Sequence, residues 1–170
     1  MRAIGLLLIL LGLANVAQAQ ALWKDTTVGM SVAEVQKLYP AAAPPKSPAG
    51  PLSTGATEKL RLEGVEIELH RFHAEFFFQD DHLTLVRLDL DNPPGFSGAE
   101  FVFTSLFDQL RMKYGPEFSM RRNRGVMSTL LAKWHHGETN INLMCIGVMN
   151  KPATLEVIYR SMSEEKSTNL

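Results

Sequence analysis

One pattern, met twice, constrains this chain more than any other. In "VGMSVAEVQKLYP", residues 28–40, Ser31 is followed by Glu34 at the spacing of a capping box, in which each side chain satisfies the other's backbone amide. Met30 and Val35 flank the box as a hydrophobic staple, and Val32, Val35, Leu38 and Tyr39 recur at helical spacing until Pro40 stops the run. In "GFSGAEFVFTSLFDQLRMKYGPE", residues 95–117, Ser97 and Glu100 repeat the box, while Phe96 and Phe101 repeat the staple. Phe103, Leu106, Phe107, Leu110 and Tyr114 form the second apolar stripe, closed by Gly115 and Pro116. Two amphipathic helices of one design imply a repeated unit.

After each helix come segments of strand character. In the first half "KLRL" and "VEIEL" flank Glu63-Gly64, and "AEFFF" and "HLTLVRLDLD" flank "QDD", which predicts two hairpins. Leu60, Leu62, Val65, Ile67 and Leu69 alternate with charged residues, as on a sheet with one wet face. Between Leu85 and Val86 the alternation changes phase, predicting a bulge or a strand buried on both faces. In the second half "VMSTLLAKW", "NINLMCI" and "TLEVIYR" read as three strands, with "HHGET" turning between the first two. The expected fold is α+β: two similar helix-plus-antiparallel-meander halves, 20–95 and 96–161, with the helices on one face of antiparallel sheet. The pattern leaves open whether the halves share one sheet. Residues 162–170 read as a flexible polar tail. The connection 40–55 holds five of the nine prolines and reads as an irregular or polyproline-like segment, with Pro45 and Pro48 at PxxP spacing.

The N-terminus carries one cation, Arg2, then an apolar run from Ala3 through Leu13, then Ala17 and Ala19 spaced as signal peptidase prefers. Residues 1–19 therefore read as a cleavable secretory signal, with Ala21 as the alternative cleavage position. Ala3 to Ala17 is about fifteen residues, short of the ~20 that a spanning helix needs. The expected location is periplasmic or secreted, with no transmembrane span after cleavage. Losing Arg2 takes the formal charge from −1 to −2, which gives nucleic acid no footing. A single cysteine, Cys145, allows no internal disulfide in an oxidising compartment.

"GMSVAEV", Gly29 to Val35, resembles the signature of the SmpA/OmlA-type outer-membrane-assembly lipoproteins, where a Gly-Met-Ser/Thr turn enters a capped helix. The tandem helix-plus-meander plan is also similar to that of the beta-lactamase inhibitory protein family. The assembly lipoproteins are lipidated at an N-terminal cysteine, which has no counterpart after this apolar run. The resemblance implies action by protein binding, through a sheet face or the connecting loops, with another envelope protein as partner.

Little here points to chemistry. The five histidines, His70, His73, His82, His135 and His136, show no ligand spacing, since His70 and His73 on one strand face opposite ways. A cross-strand pairing such as His70 with His136 is the alternative. Asp80 and Asp81 sit where a hairpin turn wants aspartate, and Asp89 and Asp91 share one strand face. Cys145 shares parity with Ile141 and Leu143, as a buried, inert thiol would. No catalytic residue, metal or cofactor is expected. The basic loop "RRNRG", with Arg121, Arg122 and Arg124, suits carboxylates or an acidic partner surface. Phe76, Phe77 and Phe78 are consecutive, so at least one ring faces away from the helices, and Trp134 joins them as a candidate apolar patch. The expected function is a non-enzymatic protein-binding module, an envelope adaptor or inhibitor. A carrier of a small apolar ligand, held between helices and sheet, comes second, and a hydrolase using His70, His73 or His136 last.

Overall fold

Helix α1, Val32–Leu38, starts where the capping box places it. The Glu34 amide donates to Ser31 Oγ at 3.3 Å and the Ser31 amide to the Glu34 carboxylate at 2.8 Å, satisfying two amides that a helix start leaves unpaired. Gly29, at φ +85°, turns the chain into this cap, a conformation most side chains resist. Its amide donates to the Leu83 carbonyl at 2.9 Å, and the Leu83 amide donates to the Met30 carbonyl at 2.8 Å. The motif thus anchors α1 to the sheet as well as starting it. The computed structural model describes residues 21–162, so the expected leader and the end of the expected tail lie outside the described residues.

Helix α2, Phe96–Tyr114, departs from the expected start. Gly95 is its N-cap, no side chain caps the first turn, and Ser97 lies within the helix, so the second capping box does not form. Phe101 is 80% exposed and closes no staple. Phe96 sets the start instead: its ring lies so close over Gly147 that a Cβ there would stand 2.5 Å from Phe96 Cβ. Gly95 also bridges Pro152, fixing the chain on both sides of the first turn. The far end follows the sequence, with Gly115 at φ +82° donating its amide to the Arg111 carbonyl.

The strands are β1 Thr57–Ile67, β2 His70–Gln79, β3 His82–Leu90, β4 Ser119–Asn123, β5 Met127–His136, β6 Thr139–Val148 and β7 Thr154–Ser161. They form one antiparallel sheet in the order β1-β2-β3-β7-β6-β5-β4, joined across the halves by β3 and β7. Both helices contribute to one apolar core on one face of that sheet.

Two expected turns move. Glu63-Gly64 is a bulge within β1, where the register slips between Leu62 and Val65 and Gly64 sits at φ +69°. The first hairpin turns instead at Glu68 and Leu69, both at positive φ. The "RRNRG" segment is no loop: Arg121, Arg122 and Asn123 belong to β4, paired with β5 at the sheet's edge. Short length and consecutive cations are what an edge strand tolerates, and they disguise it as a loop. The phase change in β3 is a bulge, one residue earlier than the alternation suggests. Phe77 faces Leu85 and Phe78 faces Leu83, leaving Thr84 as the extra residue. Leu85 therefore joins Phe77 on one face while Val86 enters the main core on the other.

On the helix face, Trp23 and Tyr39 pack on Phe76 at centroid distances of 6.2 and 5.8 Å, and Val102, Phe103, Leu106 and Leu110 of α2 join the core that includes Leu130, Trp134, Ile141 and Leu143. The proline-rich connection crosses from this face to the other around β1. Ala42 is in the main core, Ala43 exchanges backbone hydrogen bonds with Arg61, and Ala49 and Leu52 pack on Phe77 and Leu85. It closes the outer edge of β1 and shields the Phe77 ring from water.

Gly147→Ala should lower the unfolding free energy by about 1–3 kcal/mol, the cost of overpacking against a ring attached to a helix. Urea denaturation followed by circular dichroism checks this, and an unchanged midpoint would mean Phe96 does not fix the start of α2.

Candidate functional site

The four aromatic side chains expected on a surface patch lie inside. Phe76 and Phe78 are in the main core, Phe77 is under the proline-rich connection, and Trp134 is buried on the helix face with Nε1 donating to the Gly115 carbonyl at 3.0 Å. Phe77 does face away from the helices, as three consecutive rings require, but a loop covers it. The sequence offers no sign of that cover beyond its prolines.

The arginines are exposed and divided between faces. Arg124 donates to both oxygens of Glu100, at 2.7 and 3.0 Å, and Arg122 lies 3.6 Å from the same carboxylate. Arg121 alternates to the opposite face of β4, across from Leu131. Glu100, expected to cap α2, instead tethers the helix to the edge strand.

Beside that tether stand four exposed apolar side chains. Val126 and Met127 in and after the β4–β5 turn are 81% and 56% exposed; Val148 and Met149 at the end of β6 are 39% and 72% exposed. Met127 and Val148 are cross-strand partners, so the four residues share one end of the sheet. Val126, Val148 and Met149 line a cleft of about 620 Å³ together with Phe96, Gly98, Gly147 and Lys151. Four glycines in the lining leave backbone accessible there.

A second constellation occupies the sheet face away from the helices. The Arg61 guanidinium grips Glu58 through Nε at 2.7 Å and Nη2 at 2.9 Å, and Nη2 also reaches Glu75 at 3.0 Å. Arg87 donates to the other Glu75 oxygen and lies 3.8 Å from Glu156. Glu58 also accepts the Ala49 amide at 2.6 Å, tying the proline-rich connection into the network. His73 places Nε2 3.4 Å from Glu75 and Nδ1 2.7 Å from Asp91. Hydrogen bonding to buried Glu75, aided by Asp91, outweighs burial and raises the His73 imidazolium to about 9. Burial alone would raise Glu75, but His73 and Arg87 more than compensate and hold it below the ordinary carboxylate range. Burial pushes Asp89 and Glu156 upward. A histidine held cationic well above neutral pH, with both ring nitrogens against carboxylates, is a poor general base.

No family model, curated protein or solved structure matches the chain.

The remaining histidines are scattered. His82 lies at the Gly29 turn, His135 stacks on Phe118 at 3.9 Å, and His136 packs against Tyr114 at 5.2 Å. His70 opens β2, whereas His136 closes β5, and β3, β7 and β6 lie between those two strands in the sheet. Asp80 and Asp81, at φ +48° and +63°, make the two-residue turn the sequence indicates. Sequence reasoning missed the grouping of Glu63, His73 and Asp91, whose ligand-capable atoms all lie within 4.8 Å of one another. Glu63 keeps the alternation of Arg61, but which residue of β2 it faces depends on a register that no local pattern fixes.

These contacts predict two outcomes. Arg87→Met strips Glu75 and Glu156 of a shared cation at buried positions, and should cost at least about 2 kcal/mol in urea denaturation, partly restored by adding Glu156→Met. If the single variant is as stable as the native chain, the network carries no such charge dependence. Burial, reinforced by the Glu100 charge, pushes the Cys145 thiol up to about 11, so thiolate is scarce at neutral pH. Ellman's reagent at pH 7.5 should label the native protein only at its unfolding rate; prompt labelling would place Cys145 outside the core.

Proposed function

We propose that the chain is a non-enzymatic protein-binding module of the periplasm or extracellular space, acting on another envelope protein as an adaptor or inhibitor. The observation that carries this reading is the apolar end formed by Val126, Met127, Val148 and Met149, beside the cleft and the Arg124–Glu100 tether. Methionines suit such a role, because their flexible thioethers adapt to a partner at little cost in strain. The resemblance of Gly29–Val35 to the assembly lipoproteins, and of the layout to the beta-lactamase inhibitory protein family, implies the same mode of action. The apolar leader supports export, and Ala21, which accepts from Thr139 Oγ1 at 3.0 Å and bridges Thr27, favours cleavage after Ala19 over Ala21.

A carrier of a small apolar ligand is the second reading, favoured by the cleft's size, which falls within the range of about 300–1,000 Å³ typical of ligand sites. It moves the expected site from between helix and sheet to the start of α2, because the helix–sheet interior is filled by side chains such as Trp134, Ile141 and Leu143.

The experiment is crosslinked capture from envelope extract with the exported chain, run beside Met127→Glu/Met149→Glu and beside Met112→Glu, an exposed control on α2. The expected result is a protein held by the native chain and the control but lost, by about tenfold or more, from the double variant. Identical recovery on all three baits, or none on any, would overturn the reading.

A further inference from the structure

The network on the open face holds more carboxylate than its cations balance. Glu58, Glu75 and Glu156 are served by Arg61 and Arg87. That leaves Glu63, Asp89 and Asp91 around His73, with Asp91 and Glu75 taking its two nitrogens. These side chains come from different strands. Glu63 stands at the β1 bulge, His73 in β2, and Asp91 immediately past the end of β3. Asp91 is held there by its amide, which donates to the Arg71 carbonyl at 2.9 Å. Leu62 faces Ala74, so simple alternation sets Glu63 opposite His73 on the same face, and the extra residue at Gly64 comes after it.

We propose that Glu63, His73 and Asp91 form a binding site for a divalent transition-metal cation, with Zn2+ the best match, each residue giving one donor atom. One imidazole nitrogen and two carboxylate oxygens are the borderline donors that suit zinc, leaving a fourth position for water. The three donor atoms lie within 4.8 Å of one another; zinc–ligand bonds of about 2.0–2.2 Å require Glu63 to approach and the 2.7 Å contact between His73 Nδ1 and Asp91 to open, both by small side-chain rotations. Nothing buried has to move, because Glu63 is exposed and His73 and Asp91 are only half-buried.

What distinguishes this group from an ordinary surface cluster is the residue behind it. A metal-bound histidine needs its other ring nitrogen held by an acceptor, which fixes the tautomer and the ring plane. His73 offers Nδ1 on the Asp91 side, and its Nε2 faces Glu75, a nearly fully buried carboxylate locked by Arg61 and Arg87. Glu75 cannot swing out to become a ligand, so it serves as the orienting acceptor. On binding, the ion takes the place of the proton between Nδ1 and Asp91; that proton leaves to solvent while Nε2–H stays on Glu75. Arg71, whose guanidinium lies 3.4 Å from where a Gly64 Cβ would stand, is the neighbouring cation the ion must tolerate.

The proposal is independent of the protein-binding reading, since the site lies on β1–β3 and the apolar end on β5 and β6. The test is isothermal titration of chelator-treated, dialysed protein with Zn2+ in a non-coordinating buffer, with the imidazole nitrogens followed by NMR in parallel. The expected result is saturable binding of one ion per chain, a large shift of His73 Nδ1, and weakening by about tenfold or more in Glu63→Gln and in Asp91→Asn. Glu63→Gln changes an exposed side chain, so its fold is not at issue, and the NMR arm uses the native chain and needs no variant. His135→Ala/His136→Ala should bind as the native chain does. Absence of saturable binding, unchanged affinity in Glu63→Gln and Asp91→Asn, or shifts at His82, His135 or His136 in place of His73 would each overturn the site.

Discussion

The pairing of β3 with β7, Leu85–Asp89 against Glu156–Arg160, is the interaction on which the rest of the molecule depends. Each half could close a small meander on its own helix, but three or four strands with one helix bury little apolar surface. Joining the last strand of each half makes one sheet wide enough for both helices to share a core, and it puts the first strand of each half, β1 and β4, at the two outer edges. The seam also aligns the second face: Arg87 on β3 reaches Glu75 on β2 and Glu156 on β7 because these strands are adjacent.

Local chemistry was legible in the sequence where it was self-contained. The Ser31–Glu34 box, the Asp80–Asp81 turn, the Gly115 stop and the parity of Cys145 each depend on residues a few positions apart, and each stands as the spacing indicates. The features that escape such reading depend on distant partners. Ser97 and Glu100 have the right spacing for a box, yet Gly147, fifty residues away, holds Phe96 and Arg124 takes Glu100. The aromatic run misleads for the same reason: Phe77 faces away from the helices, but its cover comes from residues 49 and 52. The grouping of Glu63, His73 and Asp91 is invisible in the sequence because the registers of β1 on β2 and of β2 on β3 must be known before it exists.

The charged network has a structural cost that its neighbours offset. A carboxylate as buried as Glu75 is expensive unless every oxygen is engaged, and here two arginines and a histidine engage both. Such groups tolerate one arrangement only. Slipping β2 against β3 by a single residue would send Glu75 into the apolar core and expose Phe76, so the network penalises misregistration more strongly than any apolar contact could.

The proline-rich segment around β1 also limits what this sheet can do in company. One border is occupied by Ala43 and its neighbours, while among the described residues the other, β4, keeps its outward amides and carbonyls unpaired. Strand addition from another chain can therefore proceed at one border alone. Two copies meeting β4 to β4 would satisfy each other by a twofold axis, while at the far border Ala43 already holds the backbone of Arg61 against a further strand.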